Sequence, residues 1–210
     1  GGVISDAEKM NVSEKMAYYS GLSQKVILQH NLDVPNSFFW KELLRDKTGQ
    51  TIGRLDSRYI GIDKKESGER PDYNAELSSW LHSFTPAINH YIKSELNFKT
   101  DLKYNMFGPV QPWNNDDDNT RNDLILAMSQ NPYLKVLNQS GYYDGATTYF
   151  NAKYTLSQID PSGKMKDRFY FKGYKSGHMM YLRKEDLIQA NDDLREFLNN
   201  SSTKGKPAKY

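Results

Sequence analysis

The sequence predicts an α/β chain, in which a mostly helical region precedes a parallel αβ layer. Helical patterns dominate the first half, whereas from Asn131 onward the pattern alternates between strand and helix. This alternation is typical of parallel strands joined by crossover helices. We place the boundary near Trp113. The predicted organisation is therefore a mostly helical region over residues 1–112, an αβ region over 113–200 and a disordered tail over 201–210.

Four helices and one extended segment are predicted in the first region. Each helix begins at a capping residue or after a helix-breaking residue. The four are Asp6–Tyr19 with Asp6 as N-cap, Ser23–His30, Ser37–Arg45 with Ser37 as N-cap, and Thr85–Leu96 with Pro86 in its first turn. Glycines and alternation over residues 48–63 predict an extended or hairpin segment, and Arg54, Asp56 and Arg58 would share one face of it. For these three charges we favour an exposed ion-pair ladder over a substrate clamp.

The second region is predicted to contain two strands and three helices. An acidic run at Asp116–Asp118 lies where it would favour a helix N-terminus. The elements expected after it are helix Asn122–Gln130, strand Leu134–Leu137, helix Tyr149–Ser157, strand Arg168–Phe171 and helix Glu185–Leu198.

The composition argues against several classes of function. The 28 basic and 26 acidic side chains give a net charge of +2, without the concentrated basic surface that nucleic acid requires, so we expect no nucleic-acid partner. The absence of cysteine rules out disulfides and cysteine-based zinc sites. His82 and His90 form no metal motif, and we expect no metal. No apolar run approaches the roughly 18 residues of a membrane-spanning helix, so we expect no span.

Two polar side chains stand out because each follows a predicted strand. Asp144 lies in a glycine-containing loop after the strand at Leu134–Leu137, and His178 follows the breaker Ser176-Gly177. An acid followed along the chain by a histidine is the order in which α/β hydrolases supply these two members of a catalytic triad. The nucleophile elbow G-x-S-x-G does not occur in this sequence, and no cysteine replaces its serine.

Together these motifs resemble the serine carboxypeptidase family (peptidase family S10) of the α/β-hydrolase fold, and most of all its bacterial carboxypeptidase-related branch. The resemblance covers about Met16 to Leu198. The segments that carry it are N-P-Y-L-K-V-L at Asn131–Leu137, G-Y-Y-D-G-A-T at Gly141–Thr147 and S-G-H-M-M-Y at Ser176–Tyr181, with similar segments at Gly53–Arg58 and around Trp113.

The resemblance implies a fold and roles for three residues. The chain would be the C-terminal part of an α/β-hydrolase sheet with an inserted, mostly helical cap region. Asp144 would be the triad acid, His178 the general base, and Met179 would line the pocket for the leaving residue. Two positions depart from the family pattern: Gly145, where we expect a bulkier residue, and Thr148, where we expect proline.

The resemblance also implies an activity and partners. The complete enzyme would release C-terminal amino acids from a peptide substrate by acyl transfer, without metal or cofactor. The serine would lie in an N-terminal hydrolase portion outside this sequence, so this chain alone is expected to be inactive. A periplasmic or secreted location is favoured.

Two other functions remain open. The three tryptophans and fifteen tyrosines would also suit a non-catalytic module that binds carbohydrate or peptide. Alternatively, the chain is a partner subunit whose serine is supplied by a separate chain. Such a subunit would expose a sheet edge and could form a homo-oligomer.

Overall fold

The structure, a computed structural model, describes residues 2–102, 104–105, 108–109, 112–114, 116 and 120–202. The chain divides into two compact units, Gly1–Phe84 and Thr85–Tyr210, which we call unit 1 and unit 2. About 49% of the chain is helical and 9% is strand, which confirms a mixed α/β composition at this coarse level. The predicted boundary near Trp113, between the helical region and the αβ region, stays a prediction.

Unit 1 is mostly helical. Its elements are α1 (Asp6–Ser20), α2 (Gln24–Gln29), α3 (Asn36–Glu42), α4 (Arg45–Thr48), β1 (Thr51–Ile52), β2 (Ile60–Gly61) and the first part of α5 (Leu77–His90). The two short strands pair antiparallel, so the segment predicted as extended or hairpin forms a hairpin. Apolar side chains buried in this unit include Leu22, Ile27, Phe38, Ile52 and Trp80.

Two predicted N-caps are wrong. Ser5, not Asp6, caps α1, because its side chain accepts from the Glu8 N–H while the Glu8 carboxylate accepts from the Ser5 N–H. This reciprocal capping box leaves Asp6 as the first helical residue. Helix α3 begins at Asn36, before Ser37, and Pro35 precedes it without a side-chain cap.

The predicted helix start at Thr85 is also wrong. Helix α5 begins at Leu77, and Pro86 lies inside it. Proline lacks the N–H of the helical ladder, but an apolar face that includes the buried Trp80 extends the helix toward its N-terminus. After His90 the backbone continues as a π-helical turn, Tyr91–Glu95, and ends at Leu96 as predicted.

Unit 2 has a helix on each face of a parallel pair of strands. Its main elements are α6 (Thr120–Gln130), β3 (Val136–Gly141), α7 (Tyr149–Ser157), β4 (Phe169–Tyr174) and α8 (Lys184–Ser201), with short 3₁₀ turns at Lys166–Arg168 and Met180–Leu182. Strands β3 and β4 pair in parallel from Val136 opposite Phe169 to Gly141 opposite Tyr174. The parallel layer is therefore confirmed.

Alternating side chains of β4 show how the layers are arranged. Phe171 lies under Lys153 of α7, with the ammonium 5.7 Å from the ring centre. Tyr170 meets Phe197 of α8 with ring centres 5.5 Å apart. Because successive strand residues point to opposite faces, α7 and α8 cover opposite faces of the sheet.

The last predicted segment, the tail over residues 201–210, is described only in part. Ser201 is the final residue of α8, and residues 203–210 lie outside the described part of the chain, as do Asp117 and Asp118 of the acidic run.

Candidate active site

Asp144 and His178 lie side by side at the carboxyl ends of β3 and β4. Because the two strands are parallel neighbours, the loops that follow them emerge at the same edge of the sheet. Asp144 Oδ2 lies 2.9 Å from His178 Nδ1. The structure thus brings together the two residues that the sequence selected from separate motifs.

The loop after β4 is held directly against the end of β3. The Tyr142 N–H donates to the Tyr174 carbonyl at 2.8 Å, and the Tyr143 N–H donates to the Ser176 carbonyl at 2.9 Å. A side chain at Gly141 would overlap the carbonyl oxygens of Ser176 and Gly177, so this approach requires glycine. These contacts fix the backbone that carries Asp144 relative to the backbone that carries His178.

A buried hydrogen bond between Ser176 and Asp186 holds the loop that carries His178. Ser176, which is 1% exposed, donates through Oγ to the Asp186 carboxylate on α8. Arg183 Nη1 donates to the other oxygen of Asp186 at 2.7 Å. The first turn of α8 therefore holds Ser176, two residues before His178.

Four hydrogen bonds stabilise the Asp144 carboxylate. Its Oδ1 accepts from the Ala146 N–H at 2.8 Å and the Thr147 N–H at 3.0 Å, and its Oδ2 accepts from Thr147 Oγ1 at 2.7 Å and from His178 Nδ1. Burial by itself disfavours the charged carboxylate, but hydrogen bonds from Thr147, His178 and Ala146 outweigh burial and lower the pKa of Asp144. Asp144 is therefore held as the anion.

Thr147 is a site residue that sequence reasoning missed. Its hydroxyl donates to Asp144 Oδ2 and also lies 3.3 Å from His178 Nδ1, so it contacts both members of the pair. The three-residue spacing between Asp144 and Thr147 could have indicated this role. An aspartate often accepts hydrogen bonds from backbone N–H groups two or three residues later and so orders a turn. That turn places the Thr147 hydroxyl beside the carboxylate.

The imidazole of His178 has one engaged and one available nitrogen. A hydrogen bond from Nδ1–H to Asp144 selects the tautomer whose Nε2 carries a lone pair. Nε2 has no hydrogen-bond partner within the described residues, and the side chain is 45% exposed. The arrangement can accept a proton at Nε2 while the buried carboxylate stabilises the resulting imidazolium.

Met179 follows the histidine and is half-buried just before the 3₁₀ turn Met180–Leu182. Its place in a leaving-residue pocket stays a prediction. Among the residues that the structure describes, no group of three or more histidine, aspartate or glutamate side chains could hold a metal ion. No described helix combines the length and the apolar character needed to cross a membrane.

No protein-family model, curated protein or solved structure matches this chain. Any functional assignment therefore depends on the geometry of the Asp144–His178 pair together with the sequence motifs around it.

Proposed function

We propose that this chain supplies the acid and the histidine of a serine carboxypeptidase-like hydrolase whose serine nucleophile lies outside these residues. The observation that carries the proposal is the 2.9 Å contact between Asp144 Oδ2 and His178 Nδ1 at the ends of neighbouring parallel strands. The order of acid and histidine along the chain agrees with that of α/β hydrolases.

In the proposed reaction, His178 transfers a proton twice. Nε2 would accept the proton of the serine hydroxyl as its oxygen attacks the scissile carbonyl, and the imidazolium would then give that proton to the nitrogen of the leaving amino acid. Water would then attack the acyl-enzyme, and His178 would take the proton of that water and return it to the serine oxygen. Asp144 would hold the required tautomer and stabilise the positive charge, which agrees with its lowered pKa.

The small size of the sheet in unit 2 favours the presence of further strands from another part of the hydrolase. In the part of unit 2 that the structure describes, β3 pairs only with β4, so each strand has one free edge. Parallel sheets are normally extensive and covered on both faces, and two strands alone form a marginal sheet. Additional strands from an N-terminal hydrolase portion would pair with the free backbone N–H and C=O groups of these edges. They would also bring the serine to the same end of the sheet.

The proposal can be tested with the natural full-length polypeptide that contains these residues. A fluorophosphonate probe, which reacts with activated serines, should label one serine within a G-x-S-x-G peptide. Asp144→Ala and His178→Ala should each reduce the labelling rate by at least about 100-fold, as expected when a general base is lost. The matched controls Asp192→Ala and His82→Ala change exposed residues of the same types and should label normally.

Two results would contradict the proposal. One is a natural polypeptide without a labelled serine, either in itself or in a co-purifying chain. The other is a labelling rate that does not respond to either substitution. A separate assay of this 210-residue chain on a blocked dipeptide should show no hydrolysis, and turnover at an ordinary enzymatic rate would disprove that the nucleophile lies elsewhere.

A further inference from the structure

Unit 1 contains a groove whose lining combines cationic and aromatic side chains. The groove has a volume of about 830 Å³, and its lining includes Trp40, Arg54, Arg70, Asp72, Tyr73 and Asn74. We call it the Arg54–Arg70 groove. Its lining comes entirely from unit 1.

The two arginines of the groove are exposed, and Arg54 interacts electrostatically with the buried Glu76 carboxyl. Within unit 1, neither Arg54 nor Arg70 forms an ion pair with a described carboxylate. Three other cations of this unit are neutralised by carboxylates: Lys41 by Asp63, Arg45 by Glu42 and Arg58 by Asp56. The ion-pair ladder predicted for the hairpin therefore forms only between Asp56, which is buried, and Arg58, while Arg54 is left for the groove.

The backbone on both sides of Arg54 is fixed. The Gly53 N–H donates to the Tyr59 carbonyl at 2.8 Å, and the Leu55 N–H donates to Glu76 Oε1 at 2.9 Å. The guanidinium lies 5.9 Å from the ring centre of Trp40. Arg54 is thus presented from a rigid segment beside an aromatic wall, an arrangement that reduces the entropy lost when a ligand binds.

The segment after Arg70 is also held in place. Its anchor is the ion pair between Lys41 and Asp63, whose side chains are 2% and 1% exposed. Asp63 Oδ1 accepts from the Asp72 N–H at 3.0 Å, and Asp72 Oδ2 accepts from the Lys64 N–H at 2.9 Å. Two segments of the chain are therefore joined reciprocally next to the groove.

From these observations we infer that the Arg54–Arg70 groove binds a carboxylate of an acidic peptide. The charged residues that line the groove are two arginines and one aspartate, Asp72, so the lining favours an anion. The buried Glu76 carboxyl also interacts electrostatically with Arg54, which favours a monoanion over a phosphate dianion. A guanidinium fork binds a carboxylate through two parallel hydrogen bonds. Trp40 and Tyr73 offer apolar surface for a neighbouring side chain, and the Asn74 amide can pair with a peptide backbone group.

The inference can be tested by calorimetry on the full chain with two blocked peptides, acetyl-Phe-Glu-Phe-amide and acetyl-Phe-Gln-Phe-amide. They differ only in the single carboxylate. The glutamate peptide should bind at least about tenfold more tightly, as expected for a charge-assisted hydrogen-bond pair. Arg54→Gln and Arg70→Gln should each weaken its binding by a similar factor, whereas Arg195→Gln, which removes an exposed charge from α8, should not.

Equal affinity for the two peptides would overturn the inference on the unmodified protein, whatever the variants do. Unchanged binding in both Arg54→Gln and Arg70→Gln, with unchanged unfolding midpoints, would also overturn it. Inorganic phosphate provides a third arm, and phosphate binding that depends on both arginines and exceeds that of the glutamate peptide would refute the carboxylate assignment. The assay requires no catalysis, so its outcome is independent of the proposed hydrolase function.

Discussion

Replacing Asp144 by asparagine tests the candidate site within this chain. The asparagine carbonyl oxygen can still accept from the two backbone N–H groups that Oδ1 serves. The amide NH₂ would then face Thr147 Oγ1 and His178 Nδ1, where the carboxylate accepted two hydrogen bonds. The substitution keeps the shape of the side chain and removes its charge and half of its acceptor capacity.

The magnitude follows from this inventory. The Asp144 side chain is only 4% exposed, so water does not replace the lost acceptor. Two charge-assisted hydrogen bonds become neutral ones, and two donors lose the oxygen to which they donated. Because Thr147 can rotate its hydroxyl and the half-exposed His178 can contact water, we expect a loss of about 1–3 kcal/mol in the free energy of unfolding at pH 7.

The effect should depend on pH in a defined direction. A carboxyl whose pKa is lowered on folding contributes stability above its unfolded pKa, about 3.9, and that contribution is lost as the pH falls through the lower folded value. The difference between wild type and Asp144→Asn should therefore shrink as the pH falls below about pH 4.

The assay is urea unfolding with pulsed hydrogen–deuterium exchange, measured by mass spectrometry on a peptide over residues 136–147. This readout isolates unit 2 from unit 1. Nitrogen-15 NMR of His178 adds a second readout, because the NH₂ group should favour the tautomer protonated at Nε2. Asp192→Asn, an exposed change on α8, is the matched control. Unchanged stability together with an unchanged tautomer would refute the reasoning, as would a stability difference that persists at pH 2.

Two further substitutions test other parts of the structure. Glu76 is 0% exposed, and burial raises its pKa. Its contribution to the free energy of unfolding should therefore be complete below the unfolded pKa of about 4.3, and it should be lost as the pH rises through the pKa of the folded state. As the pH rises from 4 to 8, the free energy of unfolding of Glu76→Gln, measured in urea, should therefore increase by about 1 kcal/mol relative to wild type. The exposed control Glu69→Gln should show no such increase, and a decrease for Glu76→Gln would contradict the reasoning. Gly141→Ala should destabilise unit 2 by about 1–3 kcal/mol because its methyl group would overlap the Gly177 carbonyl, and faster exchange over residues 174–178 should report it. The control Gly108→Ala enters open space, and equal effects of the two alanines would disprove the contact.

The αβ layer of unit 2 was predictable because its periodicity and its breakers agree. Helix α7 has the predicted bounds, and the parallel pairing follows from a helix between two strands. The start and end of β3 were less predictable. Asn138, Gln139 and Ser140 have the composition of a loop, but they form strand because tertiary contacts satisfy them; Gln139, for example, donates to Tyr174 Oη at 2.8 Å and to the Ala190 carbonyl at 2.9 Å.

The candidate pair was predictable, but the contacts that hold it were not. Asp144 and His178 were selected because each follows a strand, and strand adjacency alone brings their loops together. Ser176 and Asp186 gave no such signal, since a serine before a glycine is typical of a turn and an aspartate in the first helical turn suits the helix dipole. Only the folded chain shows that these two side chains meet in a buried contact.

The pair was predictable and its supporting contacts were not, for a physical reason. Strand order and parallel pairing fix the positions of loops to within several ångströms, and they depend on patterns spread over many residues. A contact of 2.9 Å between Asp144 and His178 needs a closer specification, which comes from single residues such as Gly141 and Thr147. Each of these has many alternative roles in sequence, so their function is defined only by what lies opposite them. Substitutions at Gly141 or Thr147 should therefore disturb the acid–histidine pair while leaving the layer of β3, β4, α7 and α8 in place.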